Sequence, residues 1–202
     1  MSRITSVDFE CADFQAIRPL LVEGMQIAVR AGVPLLSILV DQLGISEEYV
    51  TQRISTIFLD GKPLDDILAV VREGSVVALS AALPGLVGAT MRRDGLLASF
   101  RSGISFCGYD TDASVCEGMI TLKLFNAVLD EVGPDLFERG VLVPATEYQR
   151  LAGLVSGIPG PNIVEGVYRI SVKRWSCSER GVSLCCSEGH KAPAKKESTG
   201  TA

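Results

Sequence analysis

Two neighbouring stretches decide the fold that this sequence predicts: FLDGKPLDD at residues 58–66 and VREGSVVAL at residues 71–79. Residues 54–59 are rich in β-branched and aromatic types, which favour a strand, and Asp60-Gly61 supplies a tight turn directly after them. A second run of β-forming residues, 76–80, follows a glycine turn signal. The sequence therefore predicts two consecutive strands joined through turns.

The residues before this pair of strands predict a hairpin followed by one helix. Residues 17–22 and 25–29 favour strands on either side of the turn signal Glu23-Gly24. Residues 34–44 then carry leucine and isoleucine at helical spacing, with proline in the first turn and glycine at the end. Ser46, followed by two glutamates, is typical of the N-cap of a short helix. The predicted order is strand, strand, helix, strand, strand.

This order, with Asp60-Gly61-Lys62-Pro63 and the later run from Gly74 to Pro84, resembles the closing part of the β-grasp sulfur carriers. These are small ubiquitin-like proteins of the molybdopterin and thiamin pathways, and the resemblance covers about residues 17–88. It implies an α+β protein with a β-grasp (ubiquitin-like) core. After Gly88 we expect a C-terminal α/β extension.

The sulfur carriers end in a Gly-Gly whose terminal carboxylate carries the chemistry, whereas the corresponding stretch here is internal. Sulfur carriage would therefore need proteolytic release after Gly88. In the resembling proteins this end of the domain inserts into a partner enzyme. The resemblance thus implies a partner or ligand contact at the following residues: Pro84, Gly85, Leu86, Val87 and Gly88.

Beyond this stretch, Asp94-Gly95 is a strong hairpin signal, so residues 86–91 and 96–104 are predicted to extend the sheet as two strands. From Met119 onward, apolar residues recur four apart until Gly133-Pro134. That spacing predicts an amphipathic helix which the Gly-Pro pair ends.

The last third of the chain predicts a strand at residues 141–143 and a helix at 146–155, with Thr146 as its N-cap. A Pro/Gly linker at 158–162 precedes one long closing strand at 163–175. From His190 the chain lacks large apolar side chains, which predicts disorder.

These elements suggest three regions along the chain. Residues 1–88 form the β-grasp-like domain, and residues 89–175 form an α+β extension that packs on the sheet or extends it. Residues 176–202 hold a cysteine-containing segment and the tail.

The bulk composition limits the classes of partner. The 202 residues carry a formal net charge of −5 and a pI of about 5.0, so no global positive field attracts nucleic acid or an anionic membrane. The start of the chain has no signal-peptide pattern, and no apolar run is long enough to span a bilayer. We therefore expect a cytoplasmic protein that binds neither membrane nor nucleic acid.

Few residues suit catalysis. The single histidine, His190, lies at the edge of the predicted tail, and neither a phosphate loop nor a dinucleotide fingerprint is present. Cys107 and Cys116 bracket a loop with two carboxylates, for which a redox pair or a metal loop is the alternative to an ordinary loop. The sequence favours a non-catalytic protein without a cofactor.

One cluster contains ligand types that could hold zinc or iron: Cys177, Cys185, Cys186 and His190. Its spacing matches neither paired Cys-x-x-Cys knuckles nor a zinc finger, and reduced thiols beside a tail are the competing interpretation.

Three functional hypotheses follow. The first is a non-catalytic interaction or assembly protein built on a β-grasp module, with a protein partner or a homo-oligomer. The second is an accessory protein of sulfur-carrier type in cofactor biosynthesis, processed near Gly88. The third is a cysteine-based metal or redox protein.

Overall fold

An eight-stranded mixed sheet organises the chain in a computed structural model that describes residues 4–9, 12–108, 114–154 and 166–176. The strands of these residues are β1 (Ile4–Phe9), β2 (Ala12–Asp13), β3 (Met25–Ala31), β4 (Val33–Pro34), β5 (Thr56–Leu59), β6 (Lys62–Pro63), β7 (Val70–Val71), β8 (Val76–Ser80), β9 (Cys116–Phe125), β10 (Val141–Pro144), β11 (Val167–Val172) and β12 (Trp175–Ser176). The large sheet has the order β1-β11-β10-β3-β9-β8-β5-β6, and the pairs β12-β2 and β4-β7 stand apart from it.

Six α-helices accompany the sheet within the described residues: α1 (Phe14–Glu23), α2 (Leu35–Ser37), α3 (Glu47–Gln52), α4 (Gly85–Met91), α5 (Asn126–Arg139) and α6 (Ala145–Leu154). A π-helical turn, Ile38–Gln42, continues α2 directly, and a 3₁₀ helix covers Ala98–Arg101. The fold is therefore mixed α+β.

Near the middle of the sheet, β8 and β9 run parallel, with β5 antiparallel beside β8 and β3 antiparallel beside β9. Leu79 lies opposite Leu124, and Ile27 lies opposite Ile120. These residues are buried because alternate side chains of each strand face the same side of a sheet. Strands from before and after Gly88 thus share one core.

Helices α1 and α5 pack on one another and on the central strands. Gly133 of α5 allows this approach, since a Cβ built there would lie 2.6 Å from a methyl carbon of Leu21 and 2.9 Å from the ring of Phe14. Farther along the sheet, the rings of Tyr148 and Tyr168 stack with centroids 4.0 Å apart. Both tyrosines are buried, so α6 is tied to β11 by aromatic packing.

The structure corrects the predicted opening hairpin, because residues 17–22 lie inside helix α1. Asp13 caps this helix by accepting a hydrogen bond from the amide of Gln15 at 2.9 Å. Ile17 and Leu21 are four residues apart and fully buried, so a helical face satisfies the apolar pattern better than a strand would. The antiparallel partner of β3 is instead β9.

The helix predicted from Met119 is also wrong in its first part, where residues 116–125 form β9. Ile120, Leu122 and Leu124 are buried at a period of two, which is a strand period that the four-residue spacing had obscured. Helix α5 starts only at Asn126 and continues through Gly133-Pro134 to Arg139. The helix has buried side chains before and after Pro134, and their burial stabilises it by more than the loss of one helical hydrogen bond at the proline costs.

The predicted hairpin at Asp94-Gly95 is wrong as well. Residues 86–91 belong to α4, and residues 98–101 form the 3₁₀ helix, so neither segment joins the sheet. Asp94 does adopt a positive φ, 53°, but the turn it makes joins two helical segments.

Other local predictions are confirmed. The helix after Pro34 forms, Asp60 and Gly61 take φ values of 50° and 77°, and the strands at β5, β8 and β10 are present. The closing strand predicted for residues 163–175 is shorter: β11 covers Val167–Val172, and Trp175–Ser176 form β12, which pairs with β2. Helix α6 is also present but begins at Ala145, so Thr146 lies inside it and is not the N-cap. The linker at 158–162 and the tail from His190 lie outside the described residues.

Helix α3 gives a direct test of the capping prediction. The hydroxyl of Ser46 accepts a hydrogen bond from the amide of Tyr49 at 3.2 Å. We expect Ser46→Ala to lower the free energy of unfolding by about 1 kcal/mol, because this amide loses its acceptor. Urea denaturation measures the change, and Ser46→Asp, which keeps an acceptor, should retain most of the stability. Equal losses in both variants would contradict the role of the cap.

Candidate interaction surface

The segment after β8 contains the residues that the sequence predicted as a partner or ligand contact. Residues 84–105, which we call the apolar knob, include α4 and the 3₁₀ helix Ala98–Arg101. Pro84 is extended, and Gly85 has a φ of 74°, a value that favours glycine and turns the chain into α4.

The chain leading into the apolar knob is fixed on the sheet by side chains from two other elements. The hydroxyl of Ser55 donates a hydrogen bond to the carbonyl of Ala81. The side-chain nitrogen of Asn126, Nδ2, donates a hydrogen bond to the carbonyl of Ala82 at 2.6 Å and another to the hydroxyl of Ser80 at 2.9 Å. Asn126 itself has a φ of 55°, which asparagine tolerates better than most residues. The chain before the apolar knob is therefore tied to the residue that precedes β5 and to the first residue of α5.

Arg101 holds the interior of the apolar knob together and is only 3% exposed. Its guanidinium forms a two-pronged ion pair with Asp65, in which the Nη1–Oδ2 distance is 2.8 Å. Its Nε donates to the carbonyl of Thr90 in α4 at 2.7 Å, and its Nη1 also reaches the hydroxyl of Ser105 at 2.8 Å. One buried cation thus joins α4, the 3₁₀ helix and the loop after β6.

A second buried arginine, Arg93, anchors the apolar knob to α3. Its Nη2 donates to the carbonyls of Val50 and Ile54, each at 3.0 Å, and its backbone amide donates to the carbonyl of Ser55 at 2.7 Å. A cation at the carboxyl end of a helix is electrostatically favourable. Burial lowers the pKa of the Arg93 guanidinium from its ordinary value, while the nearby carboxylate of Asp94 opposes that shift.

The outer side of the apolar knob carries large hydrophobic side chains. Leu96 is fully exposed and Phe100 is 80% exposed. Three others are more than half exposed: Leu86, Val87 and Ile104. Charged side chains are usually exposed and large apolar ones usually buried, but here two arginines are buried and five large apolar side chains are exposed. Exposed apolar groups concentrated on one fixed segment are typical of binding surfaces.

The residues predicted as a contact, Pro84 to Gly88, lie at the start of this segment, with Leu86 and Val87 exposed and Gly88 buried. Sequence reasoning missed Leu96, Phe100 and Ile104, which it assigned to a strand. Their spacing of four residues fits one face of a helix as well as one face of a strand, but in the structure only Phe100 is helical, in the 3₁₀ helix, and Leu96 and Ile104 lie in turns.

A shallow groove of about 570 Å³ lies between α1 and α5, lined in part by Arg18, Glu23 and Asn126. Its charged groups already have partners, because Arg18 pairs with Asp130 at 3.0 Å and Glu23 pairs with Arg150 at 2.6 Å. We therefore place the candidate site on the apolar knob.

The proposed metal ligands Cys177, Cys185, Cys186 and His190 lie outside the described residues, and their role stays a prediction. In the part of the chain that the structure describes, no group of three or more histidine, cysteine or acidic residues is placed to hold a metal. Cys107 and Cys116 are both exposed free thiols. Metal analysis of the untagged full-length protein tests the cluster directly.

No protein-family model, curated protein or solved structure matches this chain. Among the helices of the described ranges, none has the length and apolar character needed to cross a membrane.

Proposed function

We propose that this chain is a non-catalytic interaction or assembly protein that binds another protein through the apolar knob. One observation carries the proposal: five large apolar side chains are exposed on a segment whose interior is fixed by two buried arginines. A protein partner would remove these side chains from water. Each fully buried side chain of this kind contributes about 1.5–3 kcal/mol.

The anchoring of the apolar knob also favours binding. Arg93 and Arg101 together make hydrogen bonds to α3, α4 and the loop after β6. These bonds hold the backbone of the apolar knob in place beneath its exposed side chains. A pre-ordered surface loses less conformational entropy when it binds than a flexible loop does. Phe100, which is 80% exposed, belongs to the aromatic residues that are enriched at protein interfaces.

We also propose that β3, β9, β8, β5 and β6 form a β-grasp core assembled from distant parts of the chain. The sequence assigned residues 17–22 to the strand beside β3, and β9 occupies that place. Helix α2 and its π turn follow β3, and β5 and β8 come next, which agrees with the last four elements of the order predicted from the resemblance. The first predicted strand, residues 17–22, lies in helix α1.

A sulfur-carrier role is the second candidate, favoured by the exposure of Pro84 and Gly85, which follow strand β8 after a short connection. It requires a new carboxyl terminus at Gly85 or Gly88. Intact-mass measurement of the protein from its native cells tests this, since a species ending at either glycine supports the role and full-length chain alone opposes it.

Site-specific photo-crosslinking in native cells tests the interaction proposal. We expect a photoreactive residue at Leu96 to give crosslinked protein products, because this side chain is fully exposed on the apolar knob. The matched control is Ile4, an exposed apolar residue on β1, at the edge of the sheet opposite β6. Equal yields from Leu96 and Ile4, or no product from Leu96, would contradict the proposal.

A further inference from the structure

The partner of the apolar knob can be specified further from its charges, and this step rests on the proposed function. We infer that the apolar knob binds a second copy of this chain around a two-fold axis. Such an interface must be complementary to itself, because the same surface faces its own copy.

The exposed charges of the apolar knob meet this condition. Arg93 and Arg101 are buried, which leaves one exposed cation, Arg92, and one exposed anion, Asp94. The whole chain carries a net charge of −5, so contact through most acidic surfaces would bring like charges together. The surface of the apolar knob has no net charge. Two copies can meet there without that repulsion.

The positions of Arg92 and Asp94 also determine how two copies would be oriented at the contact. Arg92 and Asp94 lie in the chain between the exposed apolar residues of α4 and those that start at Leu96. Within the described residues, the carbonyl oxygen of Arg92 accepts a hydrogen bond from Arg101, whereas the side chain of Arg92 takes part in no hydrogen bond or ion pair. In a two-fold arrangement, Arg92 of each copy faces the partner's Asp94, so both pairs form at once.

The size of the surface also suits a dimer. Five large apolar side chains, each more than half exposed, lie within this one segment. On a typical monomer the largest apolar patch covers about 300–600 Å². A standard stable interface buries roughly 800 Å² per partner, so these side chains would form its apolar centre and polar residues around them its rim.

A charge-swap experiment on the purified full-length protein tests the inference. We expect the unmodified chain to dimerise with rising concentration in sedimentation equilibrium. Arg92→Glu and Asp94→Arg should each weaken self-association by at least about tenfold, because each places two pairs of like charges in contact. An equimolar mixture of the two variants should recover the dimer, since every pair then has opposite charges.

Asp94→Asn is the matched conformational control, because Asp94 has a φ of 53° and asparagine tolerates this value better than arginine does. Its dimer should be weakened less than that of Asp94→Arg, and thermal denaturation verifies that each variant is folded.

Three results would overturn the inference. If the unmodified chain is monomeric at all concentrations, the dimer is excluded. In that case, crosslinks from Leu96 to a different protein would still support the proposed function. A dimer that neither charge variant weakens, or that the mixture does not restore, excludes this two-fold contact. A monomer that cosediments with phosphatidylcholine–phosphatidylserine vesicles through Leu96 and Phe100 would assign the apolar knob to a membrane and overturn the proposed function too.

Discussion

Replacing Arg101 by methionine is expected to lower the free energy of unfolding by about 2–4 kcal/mol. Methionine fills much of the same volume but donates no hydrogen bond, so the carbonyl of Thr90 and the hydroxyl of Ser105 lose their donor. The carboxylate of Asp65 is 44% exposed and regains water, which keeps the loss below that of a fully buried ion pair. Urea denaturation at a fixed protein concentration measures the change, because a dimer makes stability depend on concentration.

The control is Arg174→Met, the same replacement at an exposed arginine of the chain, which should change stability by no more than about 0.5 kcal/mol. Limited proteolysis gives a second measurement. In the Arg101→Met protein, cleavage should increase within residues 84–105 before it increases in the sheet. If Arg101→Met and Arg174→Met behaved alike, Arg101 would not be the anchor of the apolar knob.

The features that sequence predicted well depend on short-range chemistry. Asp60-Gly61 forms a turn because these two residues accept positive φ, and Ser46 caps α3 because its hydroxyl reaches an amide three residues ahead. Strand β5 precedes that turn, and β8 follows the later glycine turn; the β-forming composition of both strands identified them. None of these features needs information from a distant part of the chain.

The errors arose where the outcome depends on distant contacts. Residues 17–22 have strand-forming composition but are placed as a helix against α5, more than a hundred residues away in the chain. Residues 116–125 have apolar residues compatible with either period, and pairing with β3 and β8 on both sides decides for a strand. The first segment was predicted as a strand and forms a helix, and the second was predicted as a helix from Met119 and forms a strand.

In the candidate site, too, the features set by local sequence could be predicted and those set by distant contacts could not. The resemblance to sulfur carriers drew attention to Pro84 and Gly88, while the Asp94-Gly95 signal assigned the exposed residues that follow to a strand. The anchors could not have been found, because Arg93 and Val50 are 43 positions apart and Arg101 and Asp65 are 36 apart. An arginine in such a segment is ordinarily expected on the surface.

Replacing Gly88 by alanine is the second substitution with a large expected effect. A Cβ built at Gly88 would lie 1.8 Å from the carbonyl oxygen of Leu83, so either α4 or the chain before it must move. Alanine favours a helix over glycine by about 0.5–1 kcal/mol, which acts in the opposite direction. We expect the steric term to prevail, with a net loss of about 1–3 kcal/mol in the free energy of unfolding.

Gly103→Ala is the matched control, because a Cβ at Gly103 meets nothing within 4 Å although the residue belongs to the same apolar knob. It should leave stability unchanged within about 0.5 kcal/mol. Since the shift of α4 in Gly88→Ala also displaces Leu86 and Val87, that variant should self-associate more weakly than Gly103→Ala in sedimentation equilibrium. If Gly88→Ala were instead as stable as the unmodified chain, helix propensity would outweigh the contact with Leu83, and the entry to α4 would have to be more adaptable than its buried glycine indicates.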